Sequence, residues 1–217
     1  MRNFIIAGAL AFSFAGNSSF AQSDREDYWE MGFSVLDLSD VNASGLNGSA
    51  LDVNGTTGFG FSGAYNFSER LALGLDLNYA NPSYRATLVP DGSGEPEVIR
   101  AKLDTSTVQF KGIFNLLEAD FTPFVELGIG WTYLDSNIVS GISGPTCWWD
   151  PWWGYICNNY YDTYSETRTS LSYALGVRWD INSDYVFRAS WGVLDIDTDR
   201  SEDIEVDTLQ LTFMWKF

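Results

Sequence analysis

The feature that most constrains this chain is a repeated alternation of apolar residues with small or polar ones. In one segment Leu71, Leu73, Leu75, Leu77 and Tyr79 occupy every second position, with Ala, Gly, Asp and Asn between them. Because successive side chains of a β-strand point to opposite faces, this period predicts strands rather than helices. The pattern recurs in segments that begin near Trp29, Phe59, Leu71, Val108, Val125, Leu171, Tyr185 and Leu209. We therefore expect an all-β fold with eight strands.

The connections between these segments alternate in length. Tight turns are expected at 68–69, 118–120 and 182–184. The other connections are long, polar and rich in Gly, Asn and Asp, at 37–57, 81–104, 135–167 and 195–205. Short turns on one side and long loops on the other are typical of transmembrane barrels, with the turns in the periplasm and the loops outside the cell. The pattern predicts an eight-stranded antiparallel up-and-down transmembrane β-barrel.

The location of the charges distinguishes a membrane barrel from a soluble one. A soluble secreted carrier of the lipocalin type turns its apolar face inward, whereas a membrane barrel turns it toward lipid. Here the polar face combines glycines with six charged residues, Glu30, Asp76, Lys111, Glu126, Arg178 and Arg188. A lipid-facing Arg or Lys at the midplane would cost about 2–4 kcal/mol. We therefore place these charges in the barrel interior and keep the soluble carrier as a less favoured alternative. Three apolar residues, Leu36, Ile113 and Met214, interrupt the alternation.

The N-terminal residues have the layout of a secretory signal peptide. Arg2 precedes an apolar run from Phe4 to Phe14, and small residues lead to Ala21. We predict a signal peptide over 1–21 and a barrel domain over 22–217. No later stretch reaches the roughly 18 consecutive apolar residues that a transmembrane helix needs.

Two segments resemble known outer-membrane proteins. The chain ends with Gln210, Trp215 and Phe217 at positions that resemble the C-terminal signal read by the bacterial outer-membrane insertion machinery, although Thr212 replaces its glycine. The segment 121–133 resembles the central strand of small OmpA-like and OmpX-like barrels and of opacity-type surface antigens. This resemblance implies a barrel in the outer membrane of a Gram-negative cell. It also implies outer-membrane lipid, lipopolysaccharide and the insertion machinery as partners.

The composition argues against several kinds of activity. The chain has no histidine, the side chain best suited to general acid–base catalysis near neutral pH, so we expect no enzyme activity and no cofactor. A net charge of −17 argues against nucleic acid as a partner. In the last loop Arg200 and Val206 stand where an EF-hand needs Gly and Glu, so no defined metal site is predicted. The loop is expected to be a solvated acidic rim, with loose binding of divalent cations near lipopolysaccharide phosphates as the alternative.

The third long loop contains the only two cysteines, Cys147 and Cys157, and the oxidising periplasm favours a disulfide between them. Five aromatic residues lie between the cysteines, namely Trp148, Trp149, Trp152, Trp153 and Tyr155. The rings form a self-packed lid over the barrel mouth, rest on the outer leaflet, or provide a rigid platform for a partner. We expect a monomeric structural or surface-binding, adhesin-like protein whose loops contact an extracellular glycan or protein. The alternative function is a narrow channel for small solutes or ions.

Overall fold

A computed structural model describes residues 25–44, 50–88, 97–150, 154–197 and 204–217. The predicted signal peptide lies outside these ranges. The strands are β1 (Tyr28–Leu38), β2 (Val41–Ser44), β3 (Ala50–Val53), β4 (Thr56–Asn66), β5 (Leu71–Ala80), β6 (Ser83–Leu88), β7 (Glu97–Lys102), β8 (Asp104–Asn115), β9 (Phe121–Asp150), β10 (Gly154–Asp180), β11 (Tyr185–Ile196) and β12 (Ile204–Lys216). Within the described ranges, no helix is long and apolar enough to cross a membrane.

Eight of the strands close into an antiparallel barrel with the order β1-β12-β11-β10-β9-β8-β5-β4. The barrel closes between the first and last strands, where Phe33 lies opposite Phe213. Barrel strands that follow one another along the chain are neighbours, so the predicted eight-stranded up-and-down barrel is confirmed. Tight turns join strands at 67–70, 116–120 and 181–184. We call this end of the barrel the turn end and the opposite end the hairpin end.

The outer surface of the barrel is apolar and the inner surface is mostly polar. Leu127 and Phe33 are 69% and 63% exposed on the outside, whereas Glu30 and Arg178 are buried inside. In a water-soluble protein such large apolar side chains would be buried in the core. Their exposure in a continuous belt around the barrel is what contact with lipid requires. Leu36, Ile113 and Met214 are buried and point inward, so the alternation of side-chain directions is intact at these positions. These three residues are apolar although they face inward, because part of the barrel interior is apolar.

An apolar cluster fills part of the barrel interior. Its members are Ala64, Ala72, Ile113, Phe124, Val186 and Met214. The ring of Phe124 occupies space that Gly176 leaves free. A Cβ at Gly176 would overlap this ring and would lie 2.6 Å from the carbonyl oxygen of Ala189. The absence of a side chain at Gly176 is therefore required by the packing around it.

A second, four-stranded sheet with the order β2-β3-β6-β7 lies beyond the barrel at the hairpin end. We call it the outer sheet. It continues the barrel wall, because the pairing of β5 with β8 extends from Ala80–Thr105 into the pairing of β6 with β7 without a change of register. The pairing of β1 with β4 likewise continues into that of β2 with β3. The connections at 37–57 and 81–104 thus contain paired strands, which their polar composition did not indicate.

The pair β9 and β10 is much longer than the other strands, with 30 and 27 residues. A tilted strand needs only about 9–11 residues to cross a bilayer. The backbones remain paired as far as Asp150 and Gly154, with register shifts near Asn159, Asp162 and Thr163. The third long connection, at 135–167, is therefore also largely a β-hairpin that extends beyond the barrel.

Candidate functional site: the barrel interior and the hairpin end

A cluster of ion pairs fills the barrel interior near the turn end. We call it the turn-end cluster, and it comprises Arg25, Glu30, Arg178, Asp180, Arg188 and Lys216. Glu30 accepts hydrogen bonds from Arg178, at 2.5 Å, and from Arg188. Arg178 also lies 2.9 Å from Asp180, which pairs in addition with Lys216 at 2.7 Å. Buried charges are tolerated when they are paired and hydrogen-bonded in this way.

Arg25 connects the turn-end cluster to two of the tight turns. Its side chain is fully buried, and its Nε donates to Asp180 at 2.8 Å. The guanidinium also donates to the carbonyl oxygens of Glu69, Leu117 and Ala119, which belong to the turns at 67–70 and 116–120. The residue that precedes the first strand thus closes the barrel at its turn end.

A second ionic group, centred on Lys111, lies nearer the middle of the barrel. The Nζ of Lys111 lies 2.7 Å from Asp76 and 2.8 Å from Glu126, and all three side chains are buried. Gln210 donates to Asp76 at 3.3 Å and accepts a hydrogen bond from Lys111. One cation on β8 thus neutralises two acids, one on each of the two strands that flank β8 in the wall.

Above the Lys111 group, the hairpin end of the barrel contains a cavity of about 90 Å³. Its walls are largely apolar and include Leu36, Leu38, Leu194 and Ile196, whereas its floor includes Lys111. The Lys111 group, the apolar cluster and the turn-end cluster occupy the interior between this cavity and the turn end, and they leave among them a void of only about 10 Å³.

The six charged residues expected in the interior, from Glu30 to Arg188, are all buried there. Gln210 is also inward, whereas Trp215 and Phe217 lie on the outside, where Trp215 contacts Tyr185 and Phe213 in an aromatic cluster. The backbone of Phe217 pairs with that of Trp29 across the closure of the barrel. Both aromatic residues of the proposed insertion signal are therefore at the seam that completes the barrel.

Sequence reasoning missed Arg25, Asp180 and Lys216. Arg25 precedes the alternating segments, so no periodic pattern marked it as an interior residue, whereas Asp180 continues the even-numbered polar face of its segment one residue beyond Trp179. Lys216 is on the same face of the last strand as Gln210 and Thr212, and this position could have identified it as an interior residue.

The cysteines lie directly opposite each other, because Cys147 pairs with Cys157 in the backbone register of β9 and β10. Trp148 and Trp149 belong to β9 and Tyr155 to β10, but their side chains, like those of the cysteines, lie outside the described part of the structure. Trp152 and Trp153 lie outside it entirely. The disulfide and the aromatic platform remain predictions.

The outer sheet has one apolar and one polar face. Residues that are directly paired share a face, so Val53, Tyr84 and Ala101 lie together on one side, and Leu51, Ala86 and Ile99 continue this side. The Tyr84 side chain is buried, and its hydroxyl donates to the carbonyl oxygen of Ser136 in β9 at 3.2 Å. Burial raises the pKa of Tyr84. The apolar face is thus the side that packs toward the β9–β10 hairpin.

Acidic residues of the described hairpin end do not gather into a metal site. No group of three or more Asp, Glu or Cys residues with suitable geometry occurs within the described ranges. Three acids of the last connection are described, Asp195, Asp197 and Glu205, and of these Asp195 and Glu205 face each other across β11 and β12. Part of this connection, 198–203, is outside the described residues.

Comparison with known proteins agrees with this architecture. The model of the outer membrane protein beta-barrel domain matches residues 7–217. The structure of the outer membrane protein OprG from Pseudomonas aeruginosa is similar, with a TM-score of 0.59, 15% identity, and coverage of 90% of this chain and 98% of OprG. Neisserial surface protein A has a TM-score of 0.51 and 10% identity, with coverage of 87% and 95% respectively. No curated protein sequence matches the chain significantly.

The closed barrel, its apolar outer face and its charged interior define an integral outer-membrane β-barrel protein. The chain belongs to the outer membrane protein beta-barrel domain family. The turn end therefore faces the periplasm and the hairpin end faces the outside of the cell, as in other barrels of this class. A soluble carrier of the lipocalin type is excluded, because such a barrel would turn its apolar face inward.

Proposed function

We propose that this protein is a non-enzymatic surface-binding protein whose extracellular hairpins contact a glycan or protein, with the barrel as their support. The observation that carries the proposal is the length of β9 and β10, which exceeds what a bilayer crossing requires by about twenty residues in β9. The paired backbones provide a preorganised extension, and preorganisation reduces the entropy cost of binding.

The aromatic tip of this extension is the proposed contact. The run from Trp148 to Tyr155 offers rings that stack on sugars and anchor protein interfaces. Its position at the end of a paired hairpin supports this assignment, because a hairpin tip is the part of the protein that an external partner reaches first.

A narrow channel is the competing function, and the cavity of about 90 Å³ at the extracellular end favours it. Against it, the Lys111 group and the turn-end cluster fill the interior below this cavity with buried ion pairs. An eight-stranded barrel is normally filled by its own side chains.

The test replaces residues 147–157 with Asn-Gly, which joins the paired residues Thr146 and Asn158 by a two-residue turn. A matched control replaces 89–96 with the same turn between the paired residues Leu88 and Glu97. Full-length protein in lipid nanodiscs is screened against immobilised glycans and extracellular-matrix proteins. We expect a bound probe whose affinity falls at least about tenfold in the first variant and not in the control.

The proposal is wrong if the full-length protein binds none of these probes, or if the 147–157 variant binds as well as the control. Both variants must show the different gel mobilities of boiled and unboiled samples that mark a folded barrel.

A further inference from the structure

The polar face of the outer sheet carries a cluster of three cations, Arg85, Arg100 and Lys102. Arg85 lies directly opposite Arg100, and Lys102 is on the same face as Arg100, two residues along β7. All three side chains are exposed. Like charges directly opposite each other destabilise a sheet. This arrangement is therefore costly unless an anion lies against it.

These cations differ from the other basic residues of the described chain. Every other described Lys or Arg forms an ion pair, either inside the barrel or, for Arg70 and Arg168, with a glutamate at the surface. The nearest acid in the register is Asp52, which lies opposite Arg85 on β3. The contacts of the described residues include no ion pair within 4 Å between these two side chains. Asp104 accepts hydrogen bonds from Tyr79 and Asn137, at 2.6 and 2.7 Å, and its charge interacts with that of Lys102, although the two do not form an ion pair in the described part of the structure.

The register also places the cations on the side of the protein that faces the membrane surface. The pairing of β5 with β8 runs into that of β6 with β7 in one register, so outward positions of the barrel wall lead to outward positions of the outer sheet. Alternate residues of a strand share a face. Along β5 and β6 the outward residues have odd numbers, as in Tyr79 and Arg85, and along β7 and β8 they have even numbers, as in Lys102 and Phe110. The cations thus stand above lipid-facing side chains rather than above the barrel mouth.

Their height corresponds to the headgroup layer. Tyr79, Trp131 and Tyr133 are exposed aromatic residues near the extracellular rim of the barrel, where β8 stops pairing with β9, and this is the level at which such rings meet headgroups. Arg85 lies six residues beyond Tyr79, about 20 Å along a strand and about 14 Å above it at a tilt of ~45°. A large sugar headgroup reaches this height, and Arg and Lys side chains are long enough to extend their charges back toward the membrane.

We propose that Arg85, Arg100 and Lys102 form a binding site for the phosphate groups of the phosphorylated glycolipid in the outer leaflet. A guanidinium binds phosphate by two parallel hydrogen bonds, and two guanidinium groups side by side match a phosphate better than one. The site is preformed, because the opposite face of the outer sheet holds Tyr84 against β9. This site is independent of the proposed partner of the aromatic hairpin tip.

The test measures glycolipid binding to the full-length barrel purified in detergent, by native mass spectrometry and by titration at physiological salt. The probes are bisphosphorylated lipid A with its core sugars and the same glycolipid without phosphates, and a soluble sulfated polysaccharide serves as a third probe. We expect Arg85→Gln/Arg100→Gln to weaken binding of the phosphorylated glycolipid about tenfold or more, with little effect on the phosphate-free form. The single variant Arg100→Gln is compared with Arg70→Gln, which removes the same charge at the periplasmic end.

Three results would overturn the proposal: unchanged glycolipid affinity in the double variant, an equal loss in Arg70→Gln, or equal affinity for the phosphate-free glycolipid. Stronger binding of the soluble polysaccharide than of the glycolipid would also overturn it and would assign the cluster to an extracellular polyanion instead. Gel mobility of unboiled samples verifies that each variant is folded.

Discussion

The Nε of Arg25 donates to Asp180 at 2.8 Å and so joins a residue three positions before the first strand to the last residue of β10. The same guanidinium bonds to the turns of two other hairpins, at Glu69 and at Leu117 and Ala119. One side chain therefore connects parts of the barrel that are distant along the chain and that come together only when the cylinder is complete.

We expect Arg25→Gln to lower the free energy of unfolding by about 1–3 kcal/mol, because it leaves buried acceptors without their donor. Asp180 keeps Arg178 and Lys216 as partners, which limits the loss. The measurement is urea unfolding of the barrel in lipid vesicles. Arg70→Gln serves as the control, since its pair with Glu118 is exposed and should contribute less than about 1 kcal/mol. Equal effects of the two substitutions would contradict a special role for Arg25.

Lys111→Met should be more damaging, because it leaves Asp76 and Glu126 buried with their only cation removed. We expect a loss of about 3–5 kcal/mol in the same unfolding measurement. Adding Asp76→Asn and Glu126→Gln should restore much of this loss, since the neutral amides no longer need the ammonium group. If the triple variant were no more stable than Lys111→Met, the Lys111 group would not be held by charge pairing.

Two glycines of the barrel wall test the interior packing, with Gly176 on the inner face beside Phe124 and Gly112 on the outer face as the control. Gly176→Ala should destabilise the barrel by more than about 1 kcal/mol, because the added methyl group meets Phe124 and the Ala189 backbone. Gly112→Ala should change stability by less than about 0.5 kcal/mol, since the nearest atom to its Cβ is 4.0 Å away. Similar unfolding curves for the two variants would show that Phe124 can move aside.

The paired positions of Cys147 and Cys157 predict a disulfide in the exported protein. Mass spectrometry of alkylated, unreduced protein should show no free thiol. Reduction should increase protease cleavage near 147–157 and leave the unfolding of the barrel unchanged, because the hairpin tip lies far from the interior ion pairs. Two alkylated thiols in unreduced protein would contradict the prediction.

Purified protein in planar bilayers should give no steady single-channel steps, because ion pairs and the apolar cluster fill the interior below the extracellular cavity. A stable conductance from folded, unboiled protein would favour the channel function instead. Repeating the measurement with Lys111→Met then tests whether the Lys111 group controls the path.

The sequence predicted the barrel well because period-two alternation is a direct consequence of strand geometry. The interior charges could be found for the same reason, since the register assigns each residue to a face. Leu36, Ile113 and Met214 disturbed that assignment because one-dimensional patterns assume a uniformly polar interior, and this interior contains an apolar layer.

Residues outside the strands could not be found in this way. Arg25 becomes an interior residue only through the closure of the barrel and the approach of two turns, which no local pattern encodes. The outer sheet was missed because its strands are short, with Gly55 just after the end of β3 and Pro82 just before the start of β6. Its alternation, seen in Leu51 and Val53 and again in Ile99 and Ala101, is too brief to outweigh the polar composition of the connections.

Because the register runs unbroken from β5–β8 into β6–β7, the number of residues between the barrel and the outer sheet determines which face of β6 points outward. Inserting a single residue between Ala80 and Ser83 would exchange the two faces of β6, turning Tyr84 outward and Arg85 inward. Changes of length that preserve the outer sheet must therefore come in pairs or fall at the hairpin tip beyond Leu88. Relatives that keep this sheet should differ in length at its tip and not at its junction with the barrel.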